Sequence, residues 1–390
     1  LTVTTWSSIL DVDFQDIAMN SSRSGTRLGN WGNNSNITFD AAKTVYWNLT
    51  GTQNWSATGW ATTSGGSPAA NNFPLAQDTV VFDNTGAATT VSIDAPWGVG
   101  TVSMGGRTTA MTLSGSGVIT VFGNWTYGTG VTASLSAETI FAARTGTQTI
   151  TSAGKSFYSF ETPIFASSST IALADALTTT ASSFSDGVVI YSGFTTNGFS
   201  VTTNYFFNNN AFSPGGSVFT ITGTGQCWVS NNATITGLAN ITLSNTTATA
   251  RSIVLGTKTY GTLTIGGATG SSTTTISGTP TFSEIASTKT VAHTIVFPNV
   301  TTTTAAWSVN GSSGNVVTLS RTGASGTFTL AKSGGGTVSA SWLSISNSTA
   351  TPGSTWTATN SIDGGGNTGW TITAPPAPSP SSGNFLAFFI

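Results

Sequence analysis

The stretch NSIDGGGNTGW, residues 360–370, puts an acid, an amide and a glycine run into one short loop. Asp363 and Asn367 offer oxygen donors that suit a cation such as calcium, or the hydroxyls of a sugar. An EF-hand loop needs ligands at alternate positions and a distal Glu, and only Asp363 and Asn367 fit that scheme loosely. The same letters suit a tight turn, since glycine takes positive φ and Asp or Asn braces a turn with its side chain. The turn is the expectation, with Trp370 closing a final rung, and no metal or cofactor is assigned.

Other residues are weighed in the same way. Glycoside hydrolysis needs two carboxylates ~5–9.5 Å apart. Asp11 and Asp13 stand two apart, on one face of a strand, which allows such a pair, a calcium contact or a solvated strand edge. Glu138, Glu161 and Glu284 stand alone in sequence. The single histidine, His293, and the single cysteine, Cys227, leave little for a zinc site or a Ser-His-Asp triad. Cys227 is expected as a small buried hydrophobe. No catalytic residue is assigned, and the chain is not expected to be an enzyme. Twelve tryptophans and six tyrosines are many for so polar a chain. Trp55, Trp60, Trp125 and Tyr127 lie in Gly/Asn/Ser-rich segments, where ring faces would stack on a glycan. The alternative for each is core packing. Asn-x-Ser/Thr recurs, for example at Asn48, Asn54 and Asn124, as chance dictates in this composition.

Only 6% of the 390 residues are charged, against roughly a quarter in ordinary soluble domains. The net charge of −2 offers no basic footprint for nucleic acid. Mean hydropathy is nevertheless only +0.12, because Thr, Ser, Gly and Asn take the places that Lys and Glu usually hold. Without Lys, Glu and Arg the best surface helix formers are missing. Branched Thr and Val favour a pleated surface, and the 46 glycines supply turns. No run reaches the ~18–20 apolar residues that span a bilayer, so no membrane insertion is expected. Leu1 is not a start methionine, which fits a processed chain or a piece of a longer one.

The elements that must position these residues are short strands. TVVFD, TVSID, GVVIYSGF, CWVSNNATITG and HTIVFPNV alternate apolar and polar with period two, bounded by Gly, Asn or Ser. GTQTITSAGKSFYSF and SIVLGTKTYGTLTI share a pattern in which Lys155 and Lys258 precede an aromatic. Phe157 with Phe160 then matches Tyr260 with Leu263. Such a train predicts an all-β protein, an elongated β-helix or β-solenoid or else an array of β-sandwich modules, with no substantial helix. The reading divides the chain into a strand-and-loop segment (1–40), a Trp-rich β module (41–135), a repeat-like solenoid region (136–300), a β module (301–373) and a Pro-rich linker with an apolar tail (374–390).

Residues 307–370, from WSVNGSSGNVVTLSRTG to NSIDGGGNTGW, resemble a module of tailed-bacteriophage virion proteins. GTKTYGTLTIGG and TTTISGTPTFSEI, within 256–285, are similar to repeats found upstream of that module. The ending SGNFLAFFI is similar to short hydrophobic tails of such proteins. The resemblance covers roughly the last third of the chain. It implies a virion structural or adhesive component of tail-fibre, tailspike or head-fibre type, and no catalytic residue. Expected partners are other copies of the chain, as a homotrimer, other virion proteins and host-surface glycan. The expected location is the virion, outside the cell. A microbial cell-surface adhesin or extracellular filament subunit joined by strand exchange is the alternative, and a polysaccharide depolymerase is the third. In the tail, Phe385, Leu386, Phe388, Phe389 and Ile390 are expected to serve assembly, or to dock on the chain's own core.

Overall fold

The computed structural model describes residues 9–164, 168–182, 186–267, 269–352 and 355–377. It is all-β apart from one 3-10 turn at Ala70–Asn72. The strands wind into a β-solenoid whose longest wall is a 13-stranded parallel sheet from Trp97–Val99 to Ile362–Asp363. The solenoid expectation is met.

The cross-section changes along the axis. From Thr79 to Ile235 each turn has three sides: the long sheet, a ten-stranded second sheet that ends at Thr234–Ile235, and a third wall. That wall starts as a four-stranded sheet and continues as a ten-stranded one to Ser348–Thr351. Between Asn240–Leu243 and Thr301–Ser308 each turn has two strands only. A third side returns as the three-stranded sheet of Val338–Ser341, Trp356–Thr359 and Trp370–Ile372. The long sheet runs unbroken across residues 135/136 and 300/301, while the four-stranded sheet ends at Val131–Leu135.

Period-two patterning explains the stack. In Arg251–Gly256 and His293–Phe297 alternate side chains are buried. Phe206, Trp228, Ile253 and Ile276 pair in register on successive turns, all wholly buried. Apolar residues stacked at strand spacing make one continuous core, which is why no single turn folds alone. Outside, Asn amides at the corners donate to carbonyls of the preceding turn, as Asn197 does to Leu173, Asn245 to Thr222 and Asn210 to Tyr191. The Asn-rich corners thus hold turn to turn with neutral hydrogen bonds. Gly278 is obligatory at its corner: its φ is +104°, and a Cβ there would meet the Gly256 nitrogen at 2.5 Å.

The N-terminal end is closed. Strand Trp60–Ala61 turns back antiparallel on Thr44–Trp47, and Trp47, Trp55 and Trp60 pack with Phe82. Residues 9–40 form two separate two-stranded sheets. This segment lies on the outside of the long sheet, with Trp31 against Phe122 at 5.3 Å and Arg144 reaching Asp16 at 3.4 Å. No helix among the described residues is long and apolar enough to cross a membrane.

Candidate functional site

The first groove expected to matter is at the N-terminal segment. Asp11 and Asp13 both line a cavity of about 400 Å³ with Arg27, Phe73 and Trp97. Their pairing does not survive in the form the strand pattern suggests. Asp11 adopts φ +57°, which breaks the alternation, and its carboxylate accepts two bonds from Arg27, at 2.6 and 3.0 Å. That bond holds Asp11 below the usual carboxylate range, while burial pushes Asp13 up. Asp11 is thereby committed to an ion pair.

A second groove, about 300 Å³, lies on the outer face of the long sheet. Glu138 opens strand Glu138–Phe141, Glu161 ends Ser159–Glu161 and Asp186 precedes Val188–Ile190. These are three successive turns, but the acids are not register partners: Glu138 pairs with Ser159, and Glu161 pairs with Ile140 and Val189, so the three meet diagonally across the ladder. Their carboxylates lie within 4.8 Å of one another, half-buried. Ile140, Thr162, Pro163, Ile164, Val189 and Tyr191 complete the lining, with no basic side chain among them. Ser159 donates its hydroxyl to Glu161 at 2.8 Å. Burial pushes the Glu161 carboxyl up, and the charges of Glu138 and Asp186 push the same way. The Tyr191 ring packs beside Phe207 at 5.1 Å. Such a groove can accept sugar hydroxyls on its carboxylates and carry a ring against Tyr191. Glu161 is the group of the three whose protonated form the groove favours, as burial and like charges do for a carboxyl.

The four expected glycan residues are elsewhere. Trp55, Trp60, Trp125 and Tyr127 are no more than 2% exposed. Trp55 and Trp60 belong to the N-terminal plug, and Trp125 packs on Tyr127, Phe141 and Phe157. No ring face is open, so these residues are not sugar platforms: apolar area in so uncharged a chain is drawn into the core. The assembly residues Phe385, Leu386, Phe388, Phe389 and Ile390 lie outside the described residues. Glu284 faces outward and accepts a hydroxyl from Ser308.

The loop 360–370 is a braced turn. Asp363 Oδ1 accepts from Gly365 N at 2.9 Å and Asn367 Nδ2 at 2.6 Å. Asn367 in turn donates to Ile345 O and accepts from Ser348 N. Gly365, Gly366 and Gly369 take positive φ. Trp370 packs edge-on against Trp356 and donates to Ser348 Oγ. Asp363 Oδ1 and Asn367 Oδ1 thus brace the chain itself. Cys227 is buried, its thiol pushed up to about 11 by that burial, so it is no nucleophile at neutral pH.

Asp186 and Tyr191 carry no sequence signal of their own, and Glu138 and Glu161 stood unpaired. The missing signal was the register: Glu161 lies two residues along its strand from the partner of Glu138 and three along from the level of Asp186, so no fixed repeat in the sequence lines the three up. Comparison with family models, with curated proteins and with solved structures gives no match to this chain. What the geometry defines is a β-solenoid with a lateral acidic and aromatic groove, a fold compatible with tailspike and adhesin proteins.

Proposed function

We propose that this chain is an adhesive projection of a phage particle, of tail-fibre, tailspike or head-fibre type, that attaches to host-surface glycan. The carrying observation is the groove of Glu138, Glu161, Asp186 and Tyr191 on the flank of an unbroken parallel stack. A rod presents such a groove at a distance, and its neutral Thr, Ser and Asn surface avoids nonspecific ionic capture. The resemblance of residues 307–370 to virion modules supports the same reading. In this reading the chain works as an oligomer, a homotrimer on a virion outside the cell, where weak sites on linked copies raise the effective concentration. Among the described residues no strand pairs beyond Ile362–Asp363, and Ile362 is 50% exposed, an edge suited to such contacts.

The test is binding of purified chain to surface polysaccharides of candidate hosts, with Tyr191→Ala alongside. Binding that falls at least tenfold in the variant supports the proposal. No binding to any host polysaccharide, or equal binding by the variant, removes it. Electron microscopy of the native assembly separates the alternatives: trimeric projections on a particle fit the virion, and filaments without a capsid fit the cell-surface adhesin.

The carboxylate row favours a second reading, polysaccharide hydrolysis. Carboxyl groups ~5–5.5 Å apart suit a retaining mechanism, with one carboxylate as nucleophile and the other, of raised pKa, as acid. Glu161 would be the acid and Glu138 or Asp186 the nucleophile. New reducing ends that vanish in Glu161→Gln would establish it, and binding without new reducing ends would leave a pure adhesin.

A further inference from the structure

Arg251 opens the strand Arg251–Gly256, on the first turn after the second sheet has ended at Ile235. Its side chain turns inward and is 2% exposed. One nitrogen, Nη2, donates to Ser272 Oγ at 3.1 Å. Nε and Nη1 are buried and have no partner among the described residues. No ion pair among those residues involves Arg251.

The surroundings add positive charge. Lys289 is also buried and gives its ammonium to the carbonyls of Gly267 and Gly270, at 2.7 and 2.6 Å. His293 is neutral: Nδ1 donates to Val291 O, and Nε2 accepts from Ser287 Oγ. Burial depresses its basicity, and Lys289 and Arg251 depress it further. Thr274 pairs with Arg251 across the ladder, is wholly buried, and its Oγ1 has no partner either.

An arginine does not shed its proton in a protein. A buried charge left uncompensated costs several kcal/mol. Hydrogen bonds to neutral groups would satisfy the N–H donors and leave that charge. We propose that the Arg251 corner binds a small monovalent anion, chloride in ordinary saline, held by Arg251 Nε and Nη1 and the Thr274 hydroxyl. Inward side chains on adjacent turns are separated by one strand spacing, ~4.8 Å, which suits a one-atom ion better than a tetrahedral oxyanion. The anion would neutralise the core where the solenoid passes from three sides to two.

The test uses the full chain. Thermal unfolding is followed in sodium chloride and in sodium gluconate at equal ionic strength, for the native chain and Arg251→Met. The expected result is a midpoint higher in chloride by about 1–2 °C for the native chain, and no such difference in the variant. Crystals of the native chain grown in bromide should show an anomalous peak beside Arg251 Nε and Nη1, which decides the matter even if the variant fails to fold. A native chain indifferent to chloride, a variant with the same dependence, or a bromide map without that peak would each overturn the proposal.

Discussion

Two arginines are buried in this solenoid, Arg107 and Arg251, and they are treated in opposite ways. Arg107 is 3% exposed, and its three nitrogens donate to the carbonyls of Thr109, Asp83, Gly86, Ala88 and Ala110. Burial lowers the basicity of Arg107, and Asp83 nearby partly offsets that. The guanidinium there clamps two successive turns. Arg251 has one hydroxyl partner and no acid. The difference teaches that a rigid backbone can supply a buried cation with carbonyls only where its turns bend toward it. At Arg107 the corner does so. At Arg251 the nearby carbonyls of Gly267 and Gly270 are already taken by Lys289.

The largest expected effect comes from breaking the satisfied corner. Arg107→Met strands several buried carbonyls at once and should cost about 3–5 kcal/mol in denaturant unfolding. Arg251→Met, measured in gluconate, should be at least as stable as the native chain, because replacing an uncompensated buried charge with an apolar side chain is neutral or stabilising. Equal losses in the two variants would erase the contrast.

Acid titration sharpens it further. The folded pKa of His293 lies below its ordinary value, so the unfolded chain takes a proton first as pH falls below ~6.5. Stability should therefore fall from pH 7 toward pH 5, and His293→Gln should flatten the curve. Arg251→Met should weaken the same fall, since one repelling charge is gone. The smallest effect is on the outer face. Glu161→Gln should change stability at pH 7 by no more than about 0.5 kcal/mol, in the stabilising direction. Its folded pKa is raised, so the native chain's disadvantage should vanish as pH falls through that value toward the ordinary glutamate range. A variant less stable than the native chain at pH 7 would show that Glu161 is needed for folding.

Particular residues show how much was legible. The pairs Phe157 with Phe160 and Tyr260 with Leu263 read as one recurring strand pattern, and all four prove wholly buried. Asp363, Asn367 and the glycines read as a braced turn, because their hydrogen bonds are local. Cys227 read as a buried hydrophobe. The tryptophans were harder. Trp55 and Trp60 lie in a glycine-punctuated stretch that looks like a loop, but that stretch folds back as the N-terminal plug. Local composition carries no information about what the loop covers.

Composition and period two were enough for the strand class, the absence of long helices and the corner chemistry, because each depends on neighbours a few residues away. Tertiary structure alone decided the rest. The number of strands per turn sets which residues meet, and it changes from three to two along this axis. Winding brings Glu138, Glu161 and Asp186 from three turns into one groove, and it leaves Arg251 facing Thr274 with no acid beside it. The contacts span a full turn or more, and their register follows from the whole stack, not from any short stretch.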